Sequence, residues 1–273
     1  MKISILILSV TIIVLLFLIS GIFLFKTFVS NKVASTKQPI SPTTVQSNGK
    51  TKVKYPQDYT LVLVGDSMTQ LMGNSDELRE FLKKYYPGKT FEVLNYGFGS
   101  TNILSLPKRL TEKTFYTREF RPITEIDFDL ILIESFGHNP LSEYSLEEGL
   151  KKQTDTLSET LKILKRENPN AKIMFVATLA PSKKNYARNQ VDLSDAQRAK
   201  WAEERIAYIK NHIQFAKANN IPVVNIFEKS LTEEGDVNLD YISKDDFIHP
   251  SPSGIVFISQ QLADFIFENK ILE

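Results

Sequence analysis

The chain has no cysteine, one tryptophan and three histidines among its 273 residues. The lack of cysteine excludes disulfide bonds, a thiolate nucleophile and cysteine-ligated zinc sites, although it does not identify a cellular compartment. A surplus of charge is also missing, since 33 basic residues face 32 acidic ones. Nothing in this balance indicates nucleic acid as a partner. The scarcity of histidine leaves few candidates for a residue that exchanges protons near neutral pH.

The beginning of the chain differs in composition from the rest. Residues 3–25 form an apolar stretch without a charge. As a helix rising about 1.5 Å per residue, this stretch would be about 35 Å long, enough to span the hydrocarbon core of a bilayer. A cleaved signal peptide usually has a shorter apolar core followed by a small-residue cleavage site, and no Ala-x-Ala pattern follows Phe25. We expect residues 1–27 to be a single-pass anchor in the cell membrane.

A polar segment separates this predicted anchor from the remaining chain. Residues 28–57 are rich in Ser, Thr, Lys, Gln and Pro, and such a composition predicts a flexible linker. Basic residues lie on both sides of the apolar stretch, so their distribution gives no decisive orientation. The short amino-terminal tail and the polar linker favour an extracytoplasmic position for the rest of the chain. Residues 58–273 are enough for one α/β domain, and they contain no internal repeat.

Hydrophobic patterns in residues 58–273 alternate between short apolar runs and longer amphipathic stretches. The predicted strands cover residues 59–64, 91–94, 130–134, 172–177 and 222–226. The predicted helices cover residues 76–85, a region beginning near 101, and residues 146–167, 194–218 and 252–267. Strands that alternate with helices predict a mostly parallel sheet covered on both faces. The expected fold is a three-layer α/β/α sandwich around five strands.

Polar residues follow the first and third of these strands. Gly65, Asp66 and Ser67 come directly after the first strand, and Asn139 lies shortly after the third. The carboxyl ends of parallel strands meet at the edge of the sheet where open α/β folds bind ligands. We therefore expect Ser67 and Asn139 to converge there.

A third polar segment, near the end of the chain, contains Asp246 and His249. A serine hydroxyl becomes a good nucleophile when an imidazole accepts its proton and a carboxylate fixes the tautomer of that imidazole. A separation of three residues allows the carboxylate to reach the ring across one turn. Of the other histidines, His212 lies in a polar helical pattern and is predicted to be solvated. His138 precedes Asn139, where substrate contact and a simple loop role are both open.

With these segments in this order, the chain resembles the SGNH hydrolases, also called the GDSL family of esterases and lipases, over residues 59–272. The resemblance implies an SGNH or flavodoxin-like fold and a serine esterase without a cofactor or metal. It implies that Ser67 is the nucleophile, His249 the base and Asp246 the residue that orients it. It also implies an oxyanion hole that includes the Asn139 side chain and the Ser67 backbone N–H.

The resemblance has two departures. The family's oxyanion glycine corresponds to Ser100, with Gly99 just before it, so either backbone N–H is a candidate donor. Pro140 stands where the family usually has an Asp, which affects local geometry more than chemistry. Asn139 itself matches the family pattern.

The expected substrates are esters, with O-acetyl or short acyl groups on cell-envelope glycans as the first choice. Alternatives are a lipid esterase, an acyltransferase, and a catalytically silent protein that binds at the membrane. Another is a metal-assisted hydrolase using Asp245, Asp246, His249 and His138. Residues 181–188 are basic and follow the fourth strand. They are predicted to lie at the rim of the site, where they would favour an anionic polymer or simply form a solvated loop.

Overall fold

The computed structural model of the protein describes residues 41–47 and 49–273. The predicted anchor, residues 1–27, and the first part of the predicted linker lie outside the described residues. Within the described ranges, no helix is long and apolar enough to cross a membrane.

The strands and helices are labelled here in chain order. The strands are β1 Thr43–Ser47, β2 Lys50–Lys54, β3 Tyr59–Gly65, β4 Phe91–Gly97, β5 Thr114–Tyr116, β6 Arg118–Phe120, β7 Ile126–Asp127, β8 Leu130–Glu134, β9 Lys172–Ala177 and β10 Val223–Asn225. The helices are α1 Ser67–Gln70, α2 Asp76–Tyr85, α3 Leu106–Thr111, α4 Leu146–Glu167, α5 Asp195–Ala218, α6 Ile226–Lys229 and α7 Pro252–Glu268. Short 3-10 turns occupy Ile103–Ser105, Ile123–Glu125 and Leu239–Tyr241.

A five-stranded sheet in the order β10, β9, β8, β3, β4 forms the centre of the domain, and all of its strand pairs are parallel. Strand β3 is central, with Val64 beside Tyr96 of β4 and Ile133 of β8. Its apolar run is buried because both faces of a parallel sheet are covered. The predicted α/β fold with a parallel five-stranded sheet is confirmed.

The two faces of the sheet belong to separate hydrophobic cores. Leu61 and Leu63 face the core that contains residues of α2 and α7, whereas Val62 and Val64 face the core that contains residues of α3 and α4. This alternation follows from the two-residue period of a strand. The result is the expected sandwich of helices, sheet and helices.

Local capping signals account for where several helices begin. The Ser145 hydroxyl accepts a hydrogen bond from the Glu148 N–H at the start of α4, and Ser251 does the same for Gly254 at the start of α7. Ser194 and Gln197 form a capping box at α5. The predicted helical region near residue 101 is a 3-10 turn followed by the short helix α3.

The prediction of a flexible linker over residues 28–57 is wrong for Thr43–Ser47 and Lys50–Lys54, which form β1 and β2. These strands pair with each other, and Val53 of β2 also pairs with Ile126 of β7. The buried Lys52 donates a hydrogen bond to the Glu167 carbonyl at the end of α4. Backbone pairing and lysine contacts hold this segment in place. Each strand contains only one apolar residue, Val45 or Val53, so the segment shows little of the pattern by which a strand is usually predicted.

The prediction that His212 is solvated is also wrong. His212 is buried, its Nε2 lies 3.1 Å from the Ile133 carbonyl oxygen, and its ring stacks on Phe175 with centroids 4.3 Å apart. Burial lowers its pKa to about 3, so the ring is neutral. The polar residues beside His212 in the sequence suggested an exposed position. His212 nevertheless lies one turn from the buried Tyr208 and next to the buried Ile213.

Candidate active site

Ser67 lies at the sharp turn between β3 and α1. The Asp66 side chain caps the helix by accepting a hydrogen bond of 2.8 Å from the Met68 N–H. The turn requires glycine at position 65, because a Cβ there would lie 2.1 Å from Thr69 Oγ1. The sequence thus delivers the Ser67 hydroxyl to the carboxyl edge of the sheet, as predicted.

The Ser67 hydroxyl, His249 and Asp246 form a hydrogen-bonded chain. Ser67 Oγ lies 2.9 Å from His249 Nε2, and His249 Nδ1 lies 2.5 Å from Asp246 Oδ2. The other oxygen of Asp246 accepts hydrogen bonds from the Ile248 and His249 backbone N–H groups. Burial opposes ionisation of Asp246, but the hydrogen bonds from His249 and the backbone hold its pKa below the usual value. The carboxylate therefore stays ionised and orients the imidazole.

The turn that carries this pair contains a left-handed residue. Phe247 has φ of 54°, an uncommon conformation for an aromatic residue. Its N–H donates to the Ser243 carbonyl, and the Asp246 carboxylate closes the turn from the inside. Strained conformations of this kind persist where the surrounding contacts enforce them, often at functional sites.

Asn139 reaches the same edge from the loop after β8. Its side-chain amide donates a hydrogen bond of 2.8 Å to Asp66 Oδ2. An amide NH₂ group has two hydrogens, so one remains for a ligand in the cleft. Asp66 thus supports the Ser67 turn with one oxygen and orients Asn139 with the other.

The structure distinguishes the two candidate backbone donors. The Gly99 N–H already donates to Gln70 Oε1 at 2.9 Å and to the Tyr116 hydroxyl at 3.0 Å. The Ser100 N–H, like that of Ser67, has no hydrogen-bond acceptor among the described residues. Ser100 has φ of 57°, in the region that favours glycine, which accounts for glycine at this position in the family that the chain resembles. Of the two, the Ser100 N–H is therefore the better candidate donor for the oxyanion hole, because the Gly99 N–H is already engaged.

A buried arginine, which the sequence analysis missed, lies below this loop. The Arg109 guanidinium stacks on Phe98, with its central carbon 4.4 Å from the ring centroid. Burial lowers its pKa to about 10, so it remains charged at neutral pH. It donates hydrogen bonds to the carbonyls of Gly65 and Tyr96 and to the hydroxyls of Thr101 and Ser105. Arg109 thus ties the ends of β3 and β4 to the loop that carries Ser100.

A second missed group is Glu134, the last residue of β8. It is buried and accepts hydrogen bonds from the Asp66 N–H, the Ser135 hydroxyl and the Phe136 N–H. Burial, and then the nearby Asp66 carboxylate, raise the pKa of Glu134 well above its usual value. Its position at the end of an apolar strand is the one sequence signal that marks it.

These residues open onto a cleft of about 520 Å³, within the range of small-molecule sites. The lining residues are Ser67, Gln70, Leu71, Gly99, Ser100, Tyr116, His138, Asn139, Tyr186, Ala187, Val191, Trp201, Arg205, Ile248 and His249. A neighbouring cleft of about 370 Å³ shares Gln70 and Tyr116 as a wall. The Tyr116 hydroxyl donates to Gln70 Oε1 across this wall.

The predicted basic rim contributes differently from what its sequence indicated. Tyr186 and Ala187 of residues 181–188 line the cleft, but the basic residues of this segment do not. Lys184 and Arg188 are exposed and lie 3.6 Å from Glu234 and Asp195, respectively. The arginine in the cleft is Arg205, from the middle of α5.

His138 is held by the protein on both ring nitrogens. Its Nε2 lies 3.0 Å from the Leu179 carbonyl oxygen, and its Nδ1 lies 3.5 Å from the Tyr186 hydroxyl. Burial lowers its pKa, so the ring is neutral. His138 therefore connects the Asn139 loop to the opposite wall of the cleft. Within residues 41–47 and 49–273, no group of three or more His, Asp or Glu side chains is arranged to hold a metal ion.

Comparison with known proteins gives both a family and a fold. The model of the GDSL-like Lipase/Acylhydrolase family matches residues 63–255. No curated protein matches this chain.

Three solved structures illustrate the likeness of the fold. The lipase/acylhydrolase from Enterococcus faecalis is 14% identical with a TM-score of 0.53, covering 77% of this chain and 96% of that one. A putative acylhydrolase from Bacteroides fragilis is 14% identical with a TM-score of 0.55, covering 80% and 90%. Axe2, an acetylxylan esterase from Geobacillus stearothermophilus, is 17% identical with a TM-score of 0.53, covering 77% and 94%. At these identities, the structural likeness establishes the fold.

Proposed function

The chain belongs to the GDSL-like lipase/acylhydrolase family and is a carboxylic ester hydrolase, and from this premise we propose that it removes O-acetyl or other short acyl groups from cell-envelope glycans. The observation that carries the proposal is the hydrogen-bonded chain from Ser67 through His249 to Asp246, with lengths of 2.9 Å and 2.5 Å. In this proposal, the acyl group passes through a covalent ester on Ser67.

Acylation begins when His249 Nε2 takes the Ser67 proton and Ser67 Oγ attacks the acyl carbon. The negative charge that develops on the acyl oxygen is stabilised by the Ser67 and Ser100 N–H groups and the free amide hydrogen of Asn139. Asp246 stabilises the imidazolium that forms at His249. The charged transition state thus gains more from these groups than the neutral ester does.

Acylation ends when His249 donates its proton to the leaving alcohol and the tetrahedral intermediate collapses to the acyl-enzyme on Ser67. In deacylation, a water molecule loses a proton to His249 and attacks the acyl carbon. The second tetrahedral intermediate then releases the acid, and His249 returns the proton to Ser67 Oγ. A sugar hydroxyl in place of water would turn the same steps into acyl transfer.

The form of the cleft supports a glycan ester as substrate. It is open to solvent and combines the polar edge of the sheet with an indole, Trp201, which is 37% exposed. Aromatic side chains of this kind offer a flat apolar surface with a polar edge to a ligand. A membrane anchor at residues 1–27 would keep the enzyme beside the envelope. A protease-protection assay on intact cells tests this location, because a shielded domain would exclude it.

A lipid esterase is the second candidate, favoured by exposed apolar side chains at the margin of the cleft. Leu71 is 43% exposed and Val191 41% exposed, and both line the cleft together with Ile248. Such a margin suits an acyl chain as well as a sugar ring. Rates on p-nitrophenyl esters of increasing chain length separate the candidates, because a glycan deacetylase favours acetate and a lipid esterase favours longer chains.

The first experiment measures acetate release from p-nitrophenyl acetate and from acetylated glycans by the full chain in detergent. We expect Ser67→Ala to abolish turnover and labelling by a fluorophosphonate probe, whereas Ser253→Ala, an exposed serine on α7, keeps both. A chelator should have no effect if Ser67 carries the reaction. Turnover that persists in Ser67→Ala would contradict the proposal, and wild-type protein without turnover or labelling would favour a binding role.

A further inference from the structure

We propose that the cleft selects esters whose alcohol part carries a carboxylate or phosphate group, and that Arg205 recognises this anion. The inference rests on the proposed esterase function and narrows its substrate class. The sequence offered the basic residues of the rim segment at 181–188 as one source of such a preference, with a solvated loop as the alternative, and these basic residues do not line the cleft. Arg205 is the basic residue that does.

The Arg205 guanidinium is held in one orientation by its neighbours. Its side chain is 12% exposed, Nε donates 2.7 Å to the Tyr186 hydroxyl, and Nη1 donates 3.0 Å to the Trp201 carbonyl. The guanidinium also stacks on both rings, 4.7 Å from Tyr186 and 5.2 Å from Trp201. An arginine fixed in this way loses little conformational entropy when a ligand binds, so it is preorganised for recognition.

One nitrogen of this guanidinium is left for a ligand. Nη2 of Arg205 makes no hydrogen bond to any described residue, and it is accessible to solvent. Since Arg205 is one of the residues that line the cleft, Nη2 is the donor that it offers to a ligand there. Hydrogen bonds from arginine to carboxylate or phosphate are shorter and stronger than those between neutral groups.

The charged side chain that lines the cleft favours an anion. Of the described residues, Arg205 is the only permanently charged one that lines the cleft, and no carboxylate lines it. The carboxylates behind the wall, Asp66 and Asp246, are occupied by hydrogen bonds to Asn139 and His249. Glu204 forms a salt bridge with Nη1 of Arg205 at 3.4 Å and leaves Nη2 without a partner among the described residues.

A comparison with Arg198, which also lies on α5, argues against a purely structural role for Arg205. Arg198 is buried, and its Nη1 and Nη2 donate to the carbonyls of Tyr186, Val191 and Leu193. It therefore anchors the wall of the cleft by itself. Arg205 adds one hydrogen bond to that wall, from Nε to the Tyr186 hydroxyl, and its Nη2 makes no bond to the wall.

The test compares acetate release from acetylated polygalacturonate before and after its carboxylates are converted to methyl esters. For the full chain in detergent, we expect kcat/KM to be about tenfold or more higher on the charged polymer, since hydrogen bonds to charged groups are worth more than neutral ones. Arg205→Met should bring the ratio close to one. Arg188→Met removes an exposed arginine of the same wall and should keep the wild-type ratio. Acetylated poly(glycerol phosphate) shows whether phosphate is preferred to carboxylate.

A wild-type ratio near one, with normal turnover of p-nitrophenyl acetate, would overturn the anion preference and leave the esterase function intact. An equal loss of the ratio in Tyr186→Phe and Arg205→Met would show that Arg205 acts only by holding Tyr186. Absence of turnover on every ester would instead contradict the proposed function.

A binding measurement tests the anion site without catalysis. Calorimetry with trigalacturonate and its methyl ester should show tighter binding of the charged form to the wild-type chain. We expect Arg205→Met to weaken this binding by about tenfold and Arg188→Met to leave it unchanged. Equal binding of both forms would overturn the inference even if no ester were turned over.

Discussion

The side of the active site that carries Ser67 and the side that carries His249 are built in different ways. Around Ser67, the contacts join residues far apart in the chain, as in the hydrogen bonds from Asn139 to Asp66 and from Arg109 to the Gly65 carbonyl. Around His249, they are mostly local, because Asp246 bonds to the His249 ring and to the backbone beside it, and the turn is closed by backbone bonds with Ser243. One side depends on the sheet and the other on a single turn.

The two sides also differ in burial, and the side that carries Ser67 is the more buried one. Asp66, Arg109 and Glu134 are almost completely buried, whereas the His249 side chain is 32% exposed. Networks of buried, hydrogen-bonded polar groups make a region rigid, but they are costly to disturb. The comparison indicates that changes near Ser67 will affect stability together with activity, and that changes near His249 will affect activity alone.

The largest expected effect comes from Asp246→Asn. An amide in place of the carboxylate would offer a donor to His249 Nδ1 and hold the ring in the wrong tautomer, so we expect kcat to fall by about 10⁴-fold. The fold should keep its thermal stability because the hydrogen bonds that this substitution weakens are local and partly exposed. Steady-state kinetics and a melting curve check both parts. A large drop in melting temperature would contradict the contrast between the two sides.

The local side of the site is the side that the sequence predicted best. Asp246 and His249 lie three residues apart, so a single turn brings them together. On the sheet side, Ser67 was also predicted, because it follows a buried strand of a parallel sheet. Their catalytic roles remain predictions, but the structure places the three side chains in contact.

The long-range side was predicted incompletely for a physical reason. Arg109 lies in the segment Leu106–Thr111, where its sequence neighbours resemble those of an ordinary surface helix. Its partners come from β3, β4 and the loop after β4, and no local pattern encodes these contacts. The choice of Ser100 over Gly99 likewise depended on Gln70 and Tyr116, which are distant in sequence.

Arg109→Met tests the buried side of the comparison. The variant keeps an apolar stem between the aromatic rings but leaves the acceptors of Arg109 without a donor, which should cost about 3 kcal/mol in the free energy of unfolding. Urea denaturation at neutral pH measures this loss. Arg79→Met, a matched change of an arginine paired with exposed Asp76, should cost less than about 1 kcal/mol. Equal losses in the two variants would remove Arg109 from the framework of the site.

Asn139→Ala has a smaller effect because it removes one donor of three. We expect kcat to fall roughly a hundredfold, with little change in KM, since the amide acts on the charged transition state. The loss of its bond to Asp66 should also lower stability slightly. Near-normal kinetics would remove Asn139 from the oxyanion hole, whereas a change confined to KM would assign it to substrate binding.

The smallest effect concerns His212, which belongs to the buried side through its bond to the Ile133 carbonyl. Its pKa is about 3 in the folded chain and about 6.5 when unfolded, so the unfolded state binds the extra proton. The stability that His212 contributes is present above about pH 6.5 and is lost as the pH falls toward 3. His138 acts in the same direction and Glu134 in the opposite one, because its pKa is raised.

The difference between wild type and His212→Asn therefore isolates this contribution. Melting curves at several pH values should show that the variant loses less stability than the wild type between neutral and mildly acidic pH. Ser253→Ala, which changes an exposed serine on α7 and no titratable group, is the control and should keep the wild-type dependence of stability on pH. If His212→Asn gave the same slope as the wild type, the buried histidine would not be a source of acid sensitivity, and the contrast between the two sides would not extend to protonation.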